Sequence, residues 1–451
     1  MRGAVGNESK IHSNVGELLD EEHYKSLRLM DFKSSIVEEE KFDSGRNLKT
    51  FFDNFNNDKF NNIAIVSGRK PSGACHFGHR MVVDTLVFFQ KNGSQIFMPI
   101  ADLEASLDEK IKDESVYIPI AADNLLDWGA CGLNLDVAHV YLQSEEKRVT
   151  NIAYSVAREL TFEKAIDIYG RDTIFDEFPF LFAALTQVGD IILPQHRDFS
   201  KKHSTMIAGP DQDGHMKMTM FLSGNRIKSE DENITSMPSA IYVSHVPGLS
   251  EDKASASNPE HTIYLGSMRT SYAKSETGKK LETITRIGLE ERINESLSKV
   301  ESHILSDEDK TRKCIASMQK LFPELGKPGD VVDFKSKISE FMKNHMERRK
   351  CVLEYALAKA YTEMTDSGRE SSKEKINTCI KNNGLSLDLE QLAVSNNYNK
   401  ASIYSTICED VVIESPSFWN VPKSAIVPEE KKSVKTKWYN LIAQVSDSVV
   451  V

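Results

Sequence analysis

The sequence predicts an α/β protein: a Rossmann-like parallel-sheet domain carrying a helical insertion, followed by an all-α C-terminal domain. Three observations lead there. Ile63-Ala64-Ile65-Val66 is a short continuous apolar run, the pattern of a parallel strand buried on both faces. It leads into the turn Ser67-Gly68-Arg69-Lys70-Pro71-Ser72-Gly73, then a helical pattern from His76 to about Gln90, stopped by Asn92-Gly93. A second strand over Gln95–Ile100 completes a βαβ unit, whose crossover is expected to be right-handed.

Length and composition bound the rest. At roughly 100–200 residues per domain, 451 residues make two to four domains. No apolar run approaches the roughly 18 residues that span a bilayer, and the N-terminal stretch lacks the apolar core of a secretory signal. A cytoplasmic protein without a membrane partner is expected. Cys75, Cys131, Cys314, Cys351, Cys379 and Cys408 are scattered, with no CxxC pair. They read as free thiols rather than a disulfide framework or a bound metal. A net charge of −11 argues against a protein that coats DNA, where basic surface supplies the affinity. It leaves room for local basic patches that grip one folded RNA.

Along the chain, the polar, acidic residues 1–60 read as an N-terminal appendage of one or two short helices and a loop. Residues 61–270 form the Rossmann-like domain. Helical patterns dominate 117–190, with the insertion at about 117–186, and further strands fall at Met206-Ile207-Ala208-Gly209 and Ile241-Tyr242-Val243. Residues 271–383 form the helical domain, read as helix after helix from about 281. Residues 384–451 are an extension of unassigned role.

Two segments carry chemistry. Pro71-Ser72-Gly73-Ala74-Cys75-His76-Phe77-Gly78-His79 lies where the first strand hands over to the first helix, the place where open α/β sheets bind ligands. Its glycines admit close backbone approach, and the helix start offers unpaired N–H groups to an anion. His76 and His79 add donors for a phosphate whose charge grows during attack; the plainer alternative is two surface histidines beside a turn. Lys253-Ala254-Ser255-Ala256-Ser257, about 175 residues downstream, suits transient contact with a leaving polyphosphate. Taken by itself it is any polar linker.

Together, HFGH and KASAS resemble the HIGH and KMSKS signatures of the class I aminoacyl-tRNA synthetases. Gly209-Pro210-Asp211-Gln212-Asp213-Gly214-His215 resembles the GxDQDPH segment of the archaeal and eukaryotic tryptophanyl type. Ile100–Ala105, Gln187–Gln195 and Asn344-His345-Met346-Glu347-Arg348-Arg349 are similar to further elements of that family. The resemblance covers roughly 60–355. The chain departs from the pattern at Ala254, Ala256 and Gly214, and at Val66, where the eukaryotic enzyme has an indole-stacking tyrosine.

The resemblance implies two steps: tryptophan attacks the α-phosphorus of ATP, and the adenylate then charges the 3′ end of tRNA(Trp). It implies His76, His79 and Lys253 as catalytic residues. ATP binding is implied for Gly68, Ser72, His76, Gly78, His79, Lys253, Ser255 and Ser257. Mg²⁺ is expected to arrive with ATP, held mainly by phosphate oxygens. Asp190 would accept the indole N–H, the plainer alternative being a helix N-cap; Glu104, Gln187 and Gln212 would hold the rest of L-tryptophan. Lys343, Arg348, Arg349 and Lys350 make a basic helical segment for tRNA, with Lys431 to Tyr439 a weaker candidate. A homodimer is expected by analogy, with 117–186 as its interface. Tyrosyl-tRNA synthetase is the nearest rival reading, and a synthetase-derived RNA-binding protein without catalysis is the other.

Overall fold

The computed structural model describes residues 17–18, 42–108, 111, 113–170, 174, 179–199, 202–228, 236–250, 252–256, 258–274, 280–389, 422–428, 431–432 and 436–444. One seven-stranded sheet organises the chain. In sequence order its strands are β1 (Glu17–Leu18), β2 (Phe42–Arg46), β3 (Ile63–Val66), β4 (Gln95–Ile100), β5 (His139–Leu142), β6 (His203–Ala208) and β7 (Ser239–Val243), and in space they run β1-β2-β7-β6-β3-β4-β5. From β7 to β5 every pairing is parallel, while β2 runs antiparallel to β7 and β1 antiparallel to β2. The Rossmann-like expectation holds.

The strand order places β4 on one side of β3 and β6 on the other. Connections therefore leave in opposite directions between β3 and β6, opening a crevice at their carboxyl ends. All four residues of β3 and all six of β4 are buried, which is why they read as unbroken apolar runs. Helix α2 (Phe77–Lys91) follows β3; Asn92 and Gly93, at φ +112°, end it.

Four sequence expectations change. Residues 42–60 are not an appendage. The strand β2 joins the sheet, and α1 (Leu48–Asp58) buries Leu48, Phe51, Phe52 and Phe55. Phe51 and Phe60 meet Phe89 edge-on at 6.3 and 6.0 Å between centroids, so this segment covers part of the core. A short helix is expected here, but the interleaved asparagines hid the apolar 48/51/52/55 face that ties it to the core.

Second, the insertion is not wholly helical. After α3 (Asp102–Ser106) and α4 (Glu114–Ala130), the four-residue β5 intervenes, followed by α5 (Lys147–Ala157), α6 (Phe162–Tyr169), α7 (Pro179–Ile192) and, beyond β6, α8 (Asp213–Lys228). Third, the helical region is preceded by an antiparallel hairpin, β8 (Met268–Lys274) with β9 (Lys280–Arg286), and begins at α9 (Leu289–Ser306). Leu281-Glu282-Thr283-Ile284-Thr285-Arg286 alternates at a period of two, a strand pattern short enough to be absorbed into a helical reading.

The helices α10 (Glu308–Leu321), α11 (Val331–Glu363) and α12 (Asp366–Asn383) complete the helical layer. Fourth, the helix that ends the described part of the C-terminal stretch packs into the core rather than facing RNA. In α13 (Trp438–Gln444), Trp438 and Tyr439 are buried; the Trp438 indole donates to Asp136 at 3.0 Å and the Tyr439 hydroxyl to Glu363. Val427 and the Ile426 carbonyl bond to Val137 and Gln95, both at 2.9 Å.

Candidate active site

The crevice between β3 and β6 opens into a cavity of about 1010 Å³ that receives side chains from the β3–α2 turn, the β6–α8 turn, α7 and the 246–256 loop. Each wall has a local cause.

The β3–α2 turn is held from beneath by Arg69. Its guanidinium donates to the Gly73 and Ala74 carbonyls at 2.9 and 3.0 Å, to Asn124 at 3.1 Å, and lies 2.8 Å from the Cys75 sulfur. A Cβ on Gly68 would sit inside Pro99 of β4, so glycine there serves strand packing as well as the turn. His76 and His79 cap α2. Nδ1 of His76 accepts the Gly78 N–H at 3.1 Å, and Nδ1 of His79 accepts the His76 N–H at 3.2 Å. Burial, then Arg69, His76 in the case of His79, and Lys253, push both rings well below the usual histidine range. Both are therefore neutral at pH 7. With Nδ1 already accepting, each proton sits on Nε2 as a donor.

The lysine loop folds over this helix start. A Cβ on Gly78 would lie 3.9 Å from the Ala254 carbonyl, and the Tyr264 hydroxyl holds the Ala256 carbonyl at 3.2 Å. The two sequence segments therefore meet on one cavity. Lys253 pairs with Asp211 at 2.9 Å. Although burial raises it, the Asp211 carboxyl is held far below the usual carboxylate range by His245 and Lys253. Ser72 and Ser255 line the same cavity; Ser257 lies outside the described residues.

The other expected residues line it too. Gln187 donates to Glu104 at 3.2 Å, Glu104 is 3.5 Å from Lys70, and Gln212 donates to Asp211 at 3.0 Å. Asp190 sits in the last turn of α7, which excludes the N-cap alternative. It accepts from the Tyr141 hydroxyl at 3.0 Å and from the Gln143 amide at 2.5 Å, and burial pushes its carboxyl up to about 8. Neither Tyr141 nor Gln143 was visible in the sequence as a site residue. They stand at the carboxyl end of a strand that the helical reading of 117–190 had hidden.

Asp213 belongs to the scaffold. Arg46 donates to both its oxygens, and the Tyr242 hydroxyl to one at 2.8 Å. Gly214 stands where the family pattern has proline, and a Cβ there would come within 3.0 Å of the Tyr169 ring.

Residues 58–276 match the family model described as tRNA synthetases class I (W and Y). Over this stretch the chain is similar to the class I tRNA synthetases. Among curated relatives, the tryptophan–tRNA ligase of Methanocaldococcus jannaschii is 33% identical over 256 residues, 56% of this chain and 64% of that protein. The ligase of Hyperthermus butylicus is 37% identical over 212 residues, 45% of this chain and 53% of that protein. The alignments thus span between about half and two thirds of these relatives. In fold, the chain resembles tryptophanyl-tRNA synthetase from Aeropyrum pernix K1, with a TM-score of 0.59 at 20% identity, covering 76% of this chain and 93% of that one. The Plasmodium falciparum tryptophanyl-tRNA synthetase gives 0.58 at 16%, covering 81% and 95%.

The basic helical segment corrects one expectation. Arg349 is fully buried between α11 and α4, bonded to Asp123 at 2.7 Å and to Asp127 at 2.5 Å, and His345 donates to Asp127 at 2.8 Å. It is no RNA contact. Two carboxylates on a neighbouring helix, one turn apart, claim it, and a charge run in sequence does not reveal that. Lys343 is exposed, while Arg348 and Lys350 are half-buried, Lys350 pairing with Glu347 at 2.9 Å.

Proposed function

We propose that this chain is a tryptophan–tRNA ligase, which activates L-tryptophan with ATP and transfers it to the 3′ end of tRNA(Trp). The observation that carries this reading is the meeting of the His76/His79 helix start with the Lys253 loop on one cavity, opposite Gln187 and Asp190. A tryptophan carboxylate oxygen forms a bond to the α-phosphorus, and the bond to the bridging oxygen of pyrophosphate breaks. No protein nucleophile is needed, so positioning and charge stabilisation carry the rate. The Nε2–H groups of His76 and His79 donate to phosphate oxygens, with Gly68, Ser72, Gly78 and Ser255 shaping the cradle. Lys253 exchanges Asp211 for the departing pyrophosphate, and Ser257 belongs to the same loop. Mg²⁺ enters as the ATP complex, on phosphate oxygens.

Glu104, Gln187 and Gln212 form the polar part of the amino-acid site, and Asp190 lines the same cavity, as do Val66, Ile191 and Met206. Lys343, Arg348 and Lys350 are proposed to contact tRNA. A homodimer is supported by Tyr154 and Phe182, which stand 79% and 57% exposed on the packed helices α5 and α7. Among the described residues no helix is long and apolar enough to cross a membrane, and we place the protein in the cytoplasm.

Pyrophosphate exchange into ATP, measured with each of the twenty amino acids, tests the reading. Tryptophan-dependent exchange supports it. Exchange with tyrosine instead would make the chain a tyrosyl enzyme, and none at all would leave an RNA-binding protein without catalysis.

A further inference from the structure

Gln143 ends the ladder of β5 onto β4, its N–H bonded to the Ile100 carbonyl at 3.1 Å, and its side chain reaches the cavity wall. One side of the amide is committed: Nε2 donates to Asp190 Oδ2 at 2.5 Å. That bond turns the carbonyl oxygen the opposite way. Gln143 is 1% exposed, and Oε1 accepts no hydrogen bond from any described residue. A buried acceptor left without a donor carries its full desolvation cost, so such groups are rare unless something else completes them.

We propose that Gln143 Oε1, rather than Asp190, is the acceptor that reads the indole N–H of tryptophan, and that Asp190, through its bond to the Gln143 amide, aims it. This rests on the tryptophan reading of the site. The surroundings choose the indole over the ammonium. Val66, Ile191 and Met206 are among the residues that line the cavity, and apolar walls suit a ring with one polar atom better than an unpaired cation. Both Asp190 oxygens already hold a donor, from Tyr141 and from Gln143, whereas the amide oxygen holds none. Gln143 is itself among the residues that line the cavity, and a turn of the amide about its Asp190 bond presents the oxygen to the incoming N–H. Asp190 is therefore a positioning residue here.

The test compares tryptophan with β-(3-benzothienyl)alanine, which keeps the bicyclic shape but has sulfur in place of N–H. In pyrophosphate exchange the unaltered protein is expected to favour tryptophan by about tenfold or more in kcat/KM, the scale of one buried hydrogen bond. Gln143→Met keeps the volume and removes the acceptor. It should bring the two substrates to within about twofold of each other, mainly by raising KM for tryptophan, with KM for ATP unchanged. Tyr141→Phe removes the other donor on Asp190 without touching Oε1, and should retain most of the preference. If Gln143→Met keeps the full preference, or if Tyr141→Phe abolishes it while Gln143→Met does not, the assignment of Gln143 is wrong. A protein that never exchanges with tryptophan would instead overturn the ligase reading.

Discussion

Replacing Arg349 with alanine should destabilise the protein by about 3–5 kcal/mol, the scale for breaking a buried ion pair from one side. The guanidinium makes four bonds across the α4–α11 contact: to Asp123 Oδ1 at 2.7 Å, Asp127 Oδ1 at 2.5 Å, the Asp123 carbonyl at 3.2 Å and Ser267 at 3.2 Å. Asp123 keeps Arg286 at 3.1 Å when Arg349 is gone. Asp127 keeps only His345 among the partners named here, and burial pulls that ring below the usual histidine range. The variant therefore leaves Asp127 buried without a charged partner, and that carboxylate accounts for most of the cost. Urea and thermal unfolding, followed by circular dichroism without RNA, measure it. Lys343→Ala, on the exposed side of the same helix, should stay within about 0.5 kcal/mol. An Arg349→Ala protein as stable as the unaltered chain, but weaker in binding tRNA, would refute the buried-pair reasoning and restore the RNA role.

Three further outcomes are expected. Lys253→Ala and His79→Ala should each lower tryptophan-dependent pyrophosphate exchange by about 100-fold, the scale for losing one donor to developing charge; near-normal exchange in either would contradict the assignment. Asp190→Asn should raise the melting temperature at pH 8, with the gap closing towards pH 4. The folded carboxyl titrates near 8, against 3.8 when unfolded. The unfolded chain thus gives up its proton first, so stability falls as pH rises between those values. A gap that does not vary with pH would show that the native carboxyl titrates normally. Trp438→Ala should lower the melting temperature with little change in tRNA affinity, since the indole is 4% exposed and bonded to Asp136; the opposite pattern would place this segment at an RNA surface.

Much of the site was legible because its pieces are local. The buried run of β3, the glycine turn and the capped start of α2 follow one another within some twenty residues, so strand, turn and helix signals agree. The Lys253 loop and the DQD segment were recognisable as strings even though their neighbours were not. Tyr141 and Gln143 escaped because β5 has four residues, too short for a period of two to stand out against flanking helices. The phenylalanines of 51–60 escaped because asparagines diluted the apolar signal.

The sequence alone thus determined the parallel-sheet class, the glycine turn with its two histidines, and the chemical character of the lysine loop, since each depends on contacts between near neighbours along the chain. Tertiary structure alone decided that Lys253 meets Asp211 across the cavity, that Asp190 is wrapped by Tyr141 and Gln143, and that Arg349 is buried while Lys343 is not. Those outcomes depend on which distant groups share a low-dielectric space. A charge or an amide has the same letter whether water or a carboxylate surrounds it.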